Sequence, residues 1–374
     1  MTILMSDQKV TQRILEHIEK GTTDLSDDIW REPVANYRSG DRLAAEINLL
    51  RRLPVPFCPS AALAEAGAYI AREAAGTPII VVRGQDGAVR AFRNACRHRG
   101  MLVATGSGCT KAFVCRYHGW TYRLDGSLSH IPHEYGFPDL DKATHGLVSV
   151  PAVERSGLVF VAQDGDIDNA GVLDTLPDLI GPQQKIFART ESETEANWKI
   201  VAEGFLEGYH IRSTHRDTFY PYGFDNLNVI EQFGRNSRVT FPFRRIAKLA
   251  DVPPERRRVD GLLTYVYHLF PNVMIAVLSQ HTKVVLLEPV SIDRTRLITF
   301  ALSNIGSSDS EQQEAVARDA AFVDQTGAAE DRDVTCAIQR GIGSGANTVF
   351  TYGRFEGAIA HFHRSLDAAL ATGS

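Results

Sequence analysis

Cys96-Arg97-His98-Arg99-Gly100 and Cys115-Arg116-Tyr117-His118-Gly119-Trp120 decide how this chain reads. Each short stretch offers one thiol and one imidazole, and sixteen residues separate His98 from Cys115. Thiolate and imidazole together suit zinc, copper, or an iron–sulfur cluster in which two His replace two Cys on one iron. Zinc sites usually pair like ligands, Cys-x-x-Cys and then His-x-x-x-His. Here each loop carries one of each, which favours the cluster.

Read this way, Cys96, His98, Cys115 and His118 are the ligands of a Rieske 2Fe–2S centre. Thiolates hold one iron and neutral imidazoles the other. The imidazoles raise the potential to roughly −150 to +300 mV, well above an all-Cys ferredoxin. Gly100 and Gly119 follow the two ligand pairs, where tight turns are needed. Tyr117 and Trp120 are candidate shields against water. Cys109, between the loops, reads as a packed thiol, because the ligand set is complete without it. Such a centre moves electrons, and the acceptor must be sought elsewhere in the chain.

Asn197 to His215 offers one. Glu207 and His210 are three apart, on one helical face. His210 and His215 are five apart, so a straight helix would splay them by roughly 140°. They converge only if the helix ends or widens between them. Two imidazoles and a distant carboxylate form the facial set of mononuclear non-haem iron, with positions open for oxygen. Glu330, Asp331 and Asp333, on a later predicted helix, are candidates for the carboxylate. A di-iron bundle needs Glu-x-x-His twice, and Glu207 to His210 is the single copy.

Outward from these motifs, 374 residues suffice for two domains. A net charge of −5, with no basic tract, gives no support for nucleic-acid binding. The N-terminus lacks a secretory pattern, and no apolar run approaches the ~18 residues of a membrane span. These features predict a cytoplasmic protein without a membrane segment. Five cysteines, two of them in the motif, do not read as a disulfide framework.

The pattern predicts a helix over 6–20, polar irregular chain over 22–45, then short β segments to about residue 164. The segments 77–83 and 88–94 flank Gly84-Gln85-Asp86-Gly87, a hairpin signal. Residues 165–181 read as a linker. A helix over 197–211, six strands between 228 and 302, and helices near 308–324, 328–340 and 355–371 follow. Antiparallel strands with helices on one face make an α+β plan. The expected division is 1–43 as a helical segment packing on the catalytic domain, 44–165 as the cluster domain, and 166–374 as the catalytic domain. Phe205, Tyr209, Phe224, Phe233, Phe241, Tyr265, Tyr267, Phe270 and Met274 are candidates for an apolar pocket. His268 and His281 read as strand residues with hydrogen-bond partners.

The cluster motif, the Asn197-Trp198-Lys199 lead-in, the His210/His215 pair and the late helix ending in Gln339-Arg340-Gly341 together resemble the catalytic alpha subunit of Rieske non-haem iron oxygenases. That family includes aromatic-ring-hydroxylating dioxygenases and related monooxygenases and demethylases, and the resemblance runs nearly the whole length. It implies an N-terminal all-β Rieske domain and a C-terminal helix-grip-like domain whose antiparallel sheet covers helices. It implies iron ligands His210, His215 and Asp331, the last because it stands eight residues before Gln339, with Asp333 as fallback. It implies that Glu207 joins His210 to His118 of a neighbouring subunit, within a head-to-tail homotrimer. Most members have Asp at that position, and many have Asn where this chain has Gly204, a change that widens the pocket.

The implied activity is a terminal oxygenase that uses O2 and NAD(P)H-derived electrons, delivered by a flavin reductase or a ferredoxin. The substrate expected is a small aromatic or hydrophobic molecule, hydroxylated or oxidatively demethylated, as in aromatic hydrocarbon catabolism. The length favours this alpha-only type over a ring cis-dihydroxylating dioxygenase. A Rieske protein that only transfers electrons is the rival from another class.

Overall fold

The computed structural model describes residues 4–168, 173–304 and 310–372. Its helices are α1 (Asp7–Lys20), α2 (Ala35–Arg38), α3 (Gly40–Arg52), α4 (Trp198–Gly204), α5 (Ile211–Thr214), α6 (Ser310–Gln325), α7 (Gly327–Ile342) and α8 (Gly357–Ala371). The chain divides into two compact units. One comprises Met1–Leu49, Asp174–Pro177 and Gln183–Ser374, the other Leu50–Leu173 and Asp178–Pro182.

The smaller unit is built of short antiparallel strands. A five-stranded sheet runs in the order Ser149–Val150, Val89–Arg93, Thr77–Arg83, Ala68–Ala74, Gly106–Cys109. The Thr77–Arg83 and Val89–Arg93 strands pair as a hairpin, with Gly87 at φ +78° in its turn. The β-branched run Ile79-Ile80-Val81-Val82 is fully buried, as a central strand requires. A three-stranded ribbon, Phe113–Val114, Thr121–Tyr122 and Leu128–His130, carries one ligand loop at its first turn. Phe92, Phe113, Trp120, Tyr122 and Leu128 pack with Cys96 and Cys115 into one core.

The larger unit is organised on a seven-stranded antiparallel sheet. Six strands meander from Val229–Phe233 to Arg294–Ser303, and Lys185–Thr194 pairs at the far edge with Arg294–Ser303. Helix α8 lies on the meander's first strands and buries Ile359, Phe362 and Leu366. Each such side chain contributes about 1.5–3 kcal/mol relative to exposure. Helix α1 is capped by the Ser6 hydroxyl, which accepts from Lys9 N, and stopped by Gly21 in the left-handed region. The Met5 amide and the Asp7 carboxylate tie its start to Glu231 and Tyr265 of the sheet.

Two expectations change. Residues 22–45 are not irregular: Trp30–Pro33 pairs with Val349–Tyr352, and α2 and α3 follow. On α3, Glu46 is buried against Arg42, Trp198 and Lys199. The helix expected through Ile211 stops at Gly204. A Cβ on Gly208 would lie 2.5 Å from Asn228 Oδ1, so the Asn228 side chain would have to shift to admit one. The expected helix start at Ser308 and part of the expected linker, 169–172, lie outside the described residues.

Candidate metal centres and cavity

The two cluster loops are folded alike. Cys96 N donates to Met101 O at 2.8 Å and Gly100 N to Cys96 O at 2.8 Å. Cys115 N donates to Trp120 O at 2.9 Å and Gly119 N to Cys115 O at 2.9 Å. Each loop needs a left-handed residue at its end, supplied by Gly100 at φ +75° and Gly119 at φ +74°. The turns aim both thiols inward, buried and without a disulfide.

The His98 and His118 rings meet edge to face with centroids 4.7 Å apart, and His98 stacks on Trp120 at 5.0 Å. Burial, then the nearby His118 and Arg99, lowers the pKa of His98 and favours the neutral ligating imidazole. Burial beside Cys96 raises that of Cys115. Tyr122 Oη lies 3.2 Å from Cys96 Sγ and accepts Arg97 N at 2.9 Å. Trp120 is buried as a shield should be, whereas Tyr117 is exposed and stacks on the outer face of His118. Cys109 is exposed on an edge strand rather than packed.

This donor set does not suit a single ion. Among the described residues, His210, His215 and Asp331 form the one group of His, Cys, Asp or Glu whose ligand atoms all lie within 4.8 Å of one another. No three of the four loop residues are that close, as one tetrahedral zinc would require. A pair of adjacent buried thiols and a pair of adjacent imidazoles fit a two-iron cluster instead.

In the larger unit, His210 and His215 bracket the single turn of α5, one before it and one after. The chain breaks before His210 as well as after it, and this brings both rings to one side, centroids 5.1 Å apart. His210 Nε2 lies 3.6 Å and His215 Nε2 3.0 Å from Asp331 Oδ1 on α7. The opposite ring nitrogens are taken by carboxylates. Glu207 Oε1 meets His210 Nδ1, and Glu330 Oε2 meets His215 Nδ1 at 2.7 Å while accepting Thr218 Oγ1 at 2.7 Å. Orientation of a ligand ring by a second carboxylate is what metal-binding histidines commonly show.

Burial works against a charge on either ring. Glu207, Asp331 and Glu356 outweigh it at His210, and Asp331 and Glu330 at His215, so both pKa values are raised. Burial, then Glu207 and Glu203, pushes the Glu356 carboxyl up to about 7. This surplus of negative charge around two aimed imidazoles fits a divalent cation. Asp333 and Glu330 stand outside the three-residue group.

The Asn197-Trp198-Lys199 lead-in anchors rather than reacts. Asn197 caps α4, accepting from Lys199 N at 3.0 Å, and its own amide donates to Gln339 Oε1 at 2.9 Å on α7. That bond sets the helix carrying Asp331 against the helix preceding His210. Trp198 and Lys199 both donate to buried Glu46.

A cavity of about 1290 Å³ opens beside the three converging groups, which line it. Of the pocket residues expected, Phe205, Phe224 and Phe241 line it. Phe233, Tyr265, Tyr267 and Met274 are buried in the sheet and Phe270 in a turn between its strands, and none of them lines the cavity, nor does exposed Tyr209. Phe219, Tyr222, Phe243 and Phe322 line it without having been expected, as do Glu203 and Glu356. Isolated aromatics in loops carry no periodic signal, so only adjacency to the His pair could have flagged Phe219 and Tyr222. A Cβ on Gly204 would meet nothing within 4 Å, so the missing side chain leaves open cavity. His268 and His281 lie in strands, on Pro271 O and Asp319.

A β unit with a Cys/His loop pair and an α+β unit with a two-His, one-carboxylate group define a two-centre redox protein. The chain belongs to the ring-hydroxylating alpha subunit family, whose catalytic domain matches residues 184–372, preceded by a Rieske 2Fe–2S domain at residues 54–143. The family brings with it a Rieske cluster and a mononuclear iron.

The chain is 33% identical over 198 residues to the carnitine monooxygenase oxygenase subunit of Acinetobacter pittii, covering 48% of this chain. That stretch spans 53%, about half, of the relative's length. The fold superposes on a quaternary ammonium Rieske monooxygenase at a TM-score of 0.78 and 22% identity, covering 99% of both chains. It superposes on naphthalene 1,2-dioxygenase from Rhodococcus sp. at 0.75 and 20%, covering 99% of this chain and 100% of that one. Among the described residues, no helix is long and apolar enough to cross a membrane.

Proposed function

We propose that this chain is the terminal oxygenase of a Rieske system acting on a small N-methylated cation. Cys96, His98, Cys115 and His118 would hold the cluster, and His210, His215 and Asp331 the iron. When bound, these groups supply electron storage and oxygen activation. The observation that carries the reading is the convergence of His210, His215 and Asp331 on one cavity, each His oriented by its own carboxylate. Glu207 would join His210 to a neighbouring subunit's cluster in a homotrimer. The remaining partners are a flavin reductase or ferredoxin, NAD(P)H and O2, in the cytoplasm.

Aromatic faces and carboxylates together attract a methylammonium group. Phe219, Tyr222, Phe224 and Phe243 line the cavity with Glu203, Glu207 and Glu356. Hydroxylation of a carbon attached to nitrogen gives a hemiaminal, which breaks to an amine and an aldehyde. Relatives named for carnitine support this choice over the aromatic hydrocarbon expected from sequence. Ring dihydroxylation is the second reading. The cavity of about 1290 Å³ exceeds the ~300–1,000 Å³ of ordinary ligand sites and leaves room for a ring.

Iron analysis and a turnover screen with a surrogate reductase test both readings. The reading predicts about three irons per chain, and oxygen uptake with aldehyde release on methylated amines. Diol formation from arenes would favour the second reading. Two irons and no substrate-dependent uptake would leave an electron carrier.

A further inference from the structure

Five buried titratable groups stand behind one wall of the cavity, and of these only Glu203 has been given a role above. Glu203 and Tyr352 line the cavity. Glu203 Oε1 accepts Tyr37 Oη at 2.5 Å and meets His363 Nε2 at 2.8 Å, and its Oε2 accepts Tyr352 Oη at 2.8 Å. His363 is fully buried, and its Nδ1 has no hydrogen bond but faces Glu32 Oε2 at 3.4 Å. Glu32, also fully buried, accepts Trp30 Nε1 at 3.0 Å and Asn36 Nδ2 at 2.7 Å. Trp30 and Asn36 are half-buried. The groups come from five elements: the Trp30–Pro33 and Val349–Tyr352 strands, α2, α4 and α8.

Rigidity alone does not call for this arrangement. Two buried carboxylates around one imidazole cost desolvation that apolar packing would avoid. Burial and the Glu203 charge raise the pKa of both phenols, so they stay donors. The geometry is that of a line from half-buried side chains to the cavity, with an imidazole in the middle.

We propose that Glu32, His363 and Glu203 form the proton inlet of the oxygenase site. This rests on the function proposed above, whose reaction consumes protons: R–H + O2 + 2 e⁻ + 2 H⁺ gives R–OH + H2O, the electrons coming from the reductase. With its proton on Nε2, His363 gives it to the Glu203 carboxylate, breaking N–H and forming O–H. Nδ1 takes a proton from the Glu32 carboxyl, which is reloaded from water past Asn36. Glu203 releases its proton into the cavity, where it ends in the product water. A flip of the imidazole restores the first tautomer for the second proton. Tyr37 and Tyr352 hold the Glu203 carboxylate in line and are positioning residues.

The test uses the full-length protein and two readouts. In turnover, His363→Gln lowers kcat about a hundredfold, leaves KM for the substrate unchanged and raises the solvent deuterium isotope effect. Added imidazole restores part of the rate in His363→Ala. Loss of rate without an isotope effect or rescue would make the network structural and overturn the inlet, as would full activity. The second readout needs no turnover: the water-exchange rate of the His363 ring N–H, followed by NMR in histidine-labelled protein. An inlet makes this fully buried N–H exchange rapidly, and the isosteric Glu32→Gln slows it about tenfold. Slow exchange in the parent protein, or no change in Glu32→Gln, overturns the inlet. Rapid exchange in a protein without substrate-dependent oxygen uptake would overturn the function instead and keep the path.

Discussion

The two ligand sets are built in opposite ways. In the cluster unit, two loops of the same hydrogen-bond pattern each present a Cys and a His, and each turn is closed by its own backbone hydrogen bonds within a few residues. In the catalytic unit, the converging groups sit on one helical turn and on a helix more than a hundred residues later, registered by the Asn197–Gln339 bond. The first set is local and repeated, the second tertiary and built once. A local site is damaged by a change in its own turn. A tertiary site is damaged by changes in what orients it.

The largest effect expected is the separation of the two sets. His210→Ala should keep the red-brown cluster spectrum and reduce iron from about three to about two per chain, with turnover at background. Metal analysis and visible absorption check this together. Loss of the cluster colour in the same variant would mean that the sites are not independently built. Next comes Glu207→Gln. It keeps a side chain of the same length on His210 Nδ1 but removes the charge. Loss of such an orienting group costs about 10–100-fold in metal affinity or activity. Single-turnover kinetics with pre-reduced protein should show the slowing while both metals remain, and an unchanged rate would remove Glu207 from the electron path.

How far the sequence carried the reading follows the same division. The expected cluster ligands stand out in the sequence because ligand types, spacing and turn glycines all lie in two adjacent stretches. The His pair was legible too, but the break that makes it converge was placed too late. Gly204 and Gly208 were read as parts of a helix, whereas α4 ends at Gly204 and Gly208 packs closely on the Asn228 side chain. The carboxylate was narrowed to three neighbours on one helix, and tertiary register distinguishes them: Asp331 meets both imidazoles, Glu330 only the back of His215. Glu32, Tyr37 and His363 left no trace. They are single polar residues far apart in sequence, and only the pairing of Trp30–Pro33 with Val349–Tyr352 and the packing of α8 assemble them.

Acid should also distinguish the units. His268 is fully buried in the large sheet, its Nε2 donating to Pro271 O, and burial pushes its pKa down to about 4. The unfolded chain binds a proton near pH 6.5 that the folded chain refuses. The stabilisation is therefore complete above pH 6.5 and lost as pH falls toward 4, by about 3 kcal/mol. In the cluster unit His98 is only partly buried and His118 is exposed. Melting between pH 7 and 4.5 should lower the transition of the catalytic unit first, and His268→Gln should flatten that slope. Parallel loss in both units would show that carboxylates, not this imidazole, set the acid limit.

The smallest effect tests whether the two cluster loops are equivalent. Alanine at Gly100 or Gly119 must adopt a positive φ, which costs about 1–2 kcal/mol. At Gly100 a Cβ meets nothing within 4 Å, so that backbone cost is all. At Gly119 it would lie 2.9 Å from Pro132 Cγ, on the segment that follows the Leu128–His130 strand. Gly119→Ala should therefore destabilise more than Gly100→Ala, because the second loop must also push back a proline ring with little freedom to move. Thermal unfolding followed at the cluster absorbance reads the difference. Equal losses would mean that Pro132 yields at no cost and that the loops are alike in energy as well as in pattern.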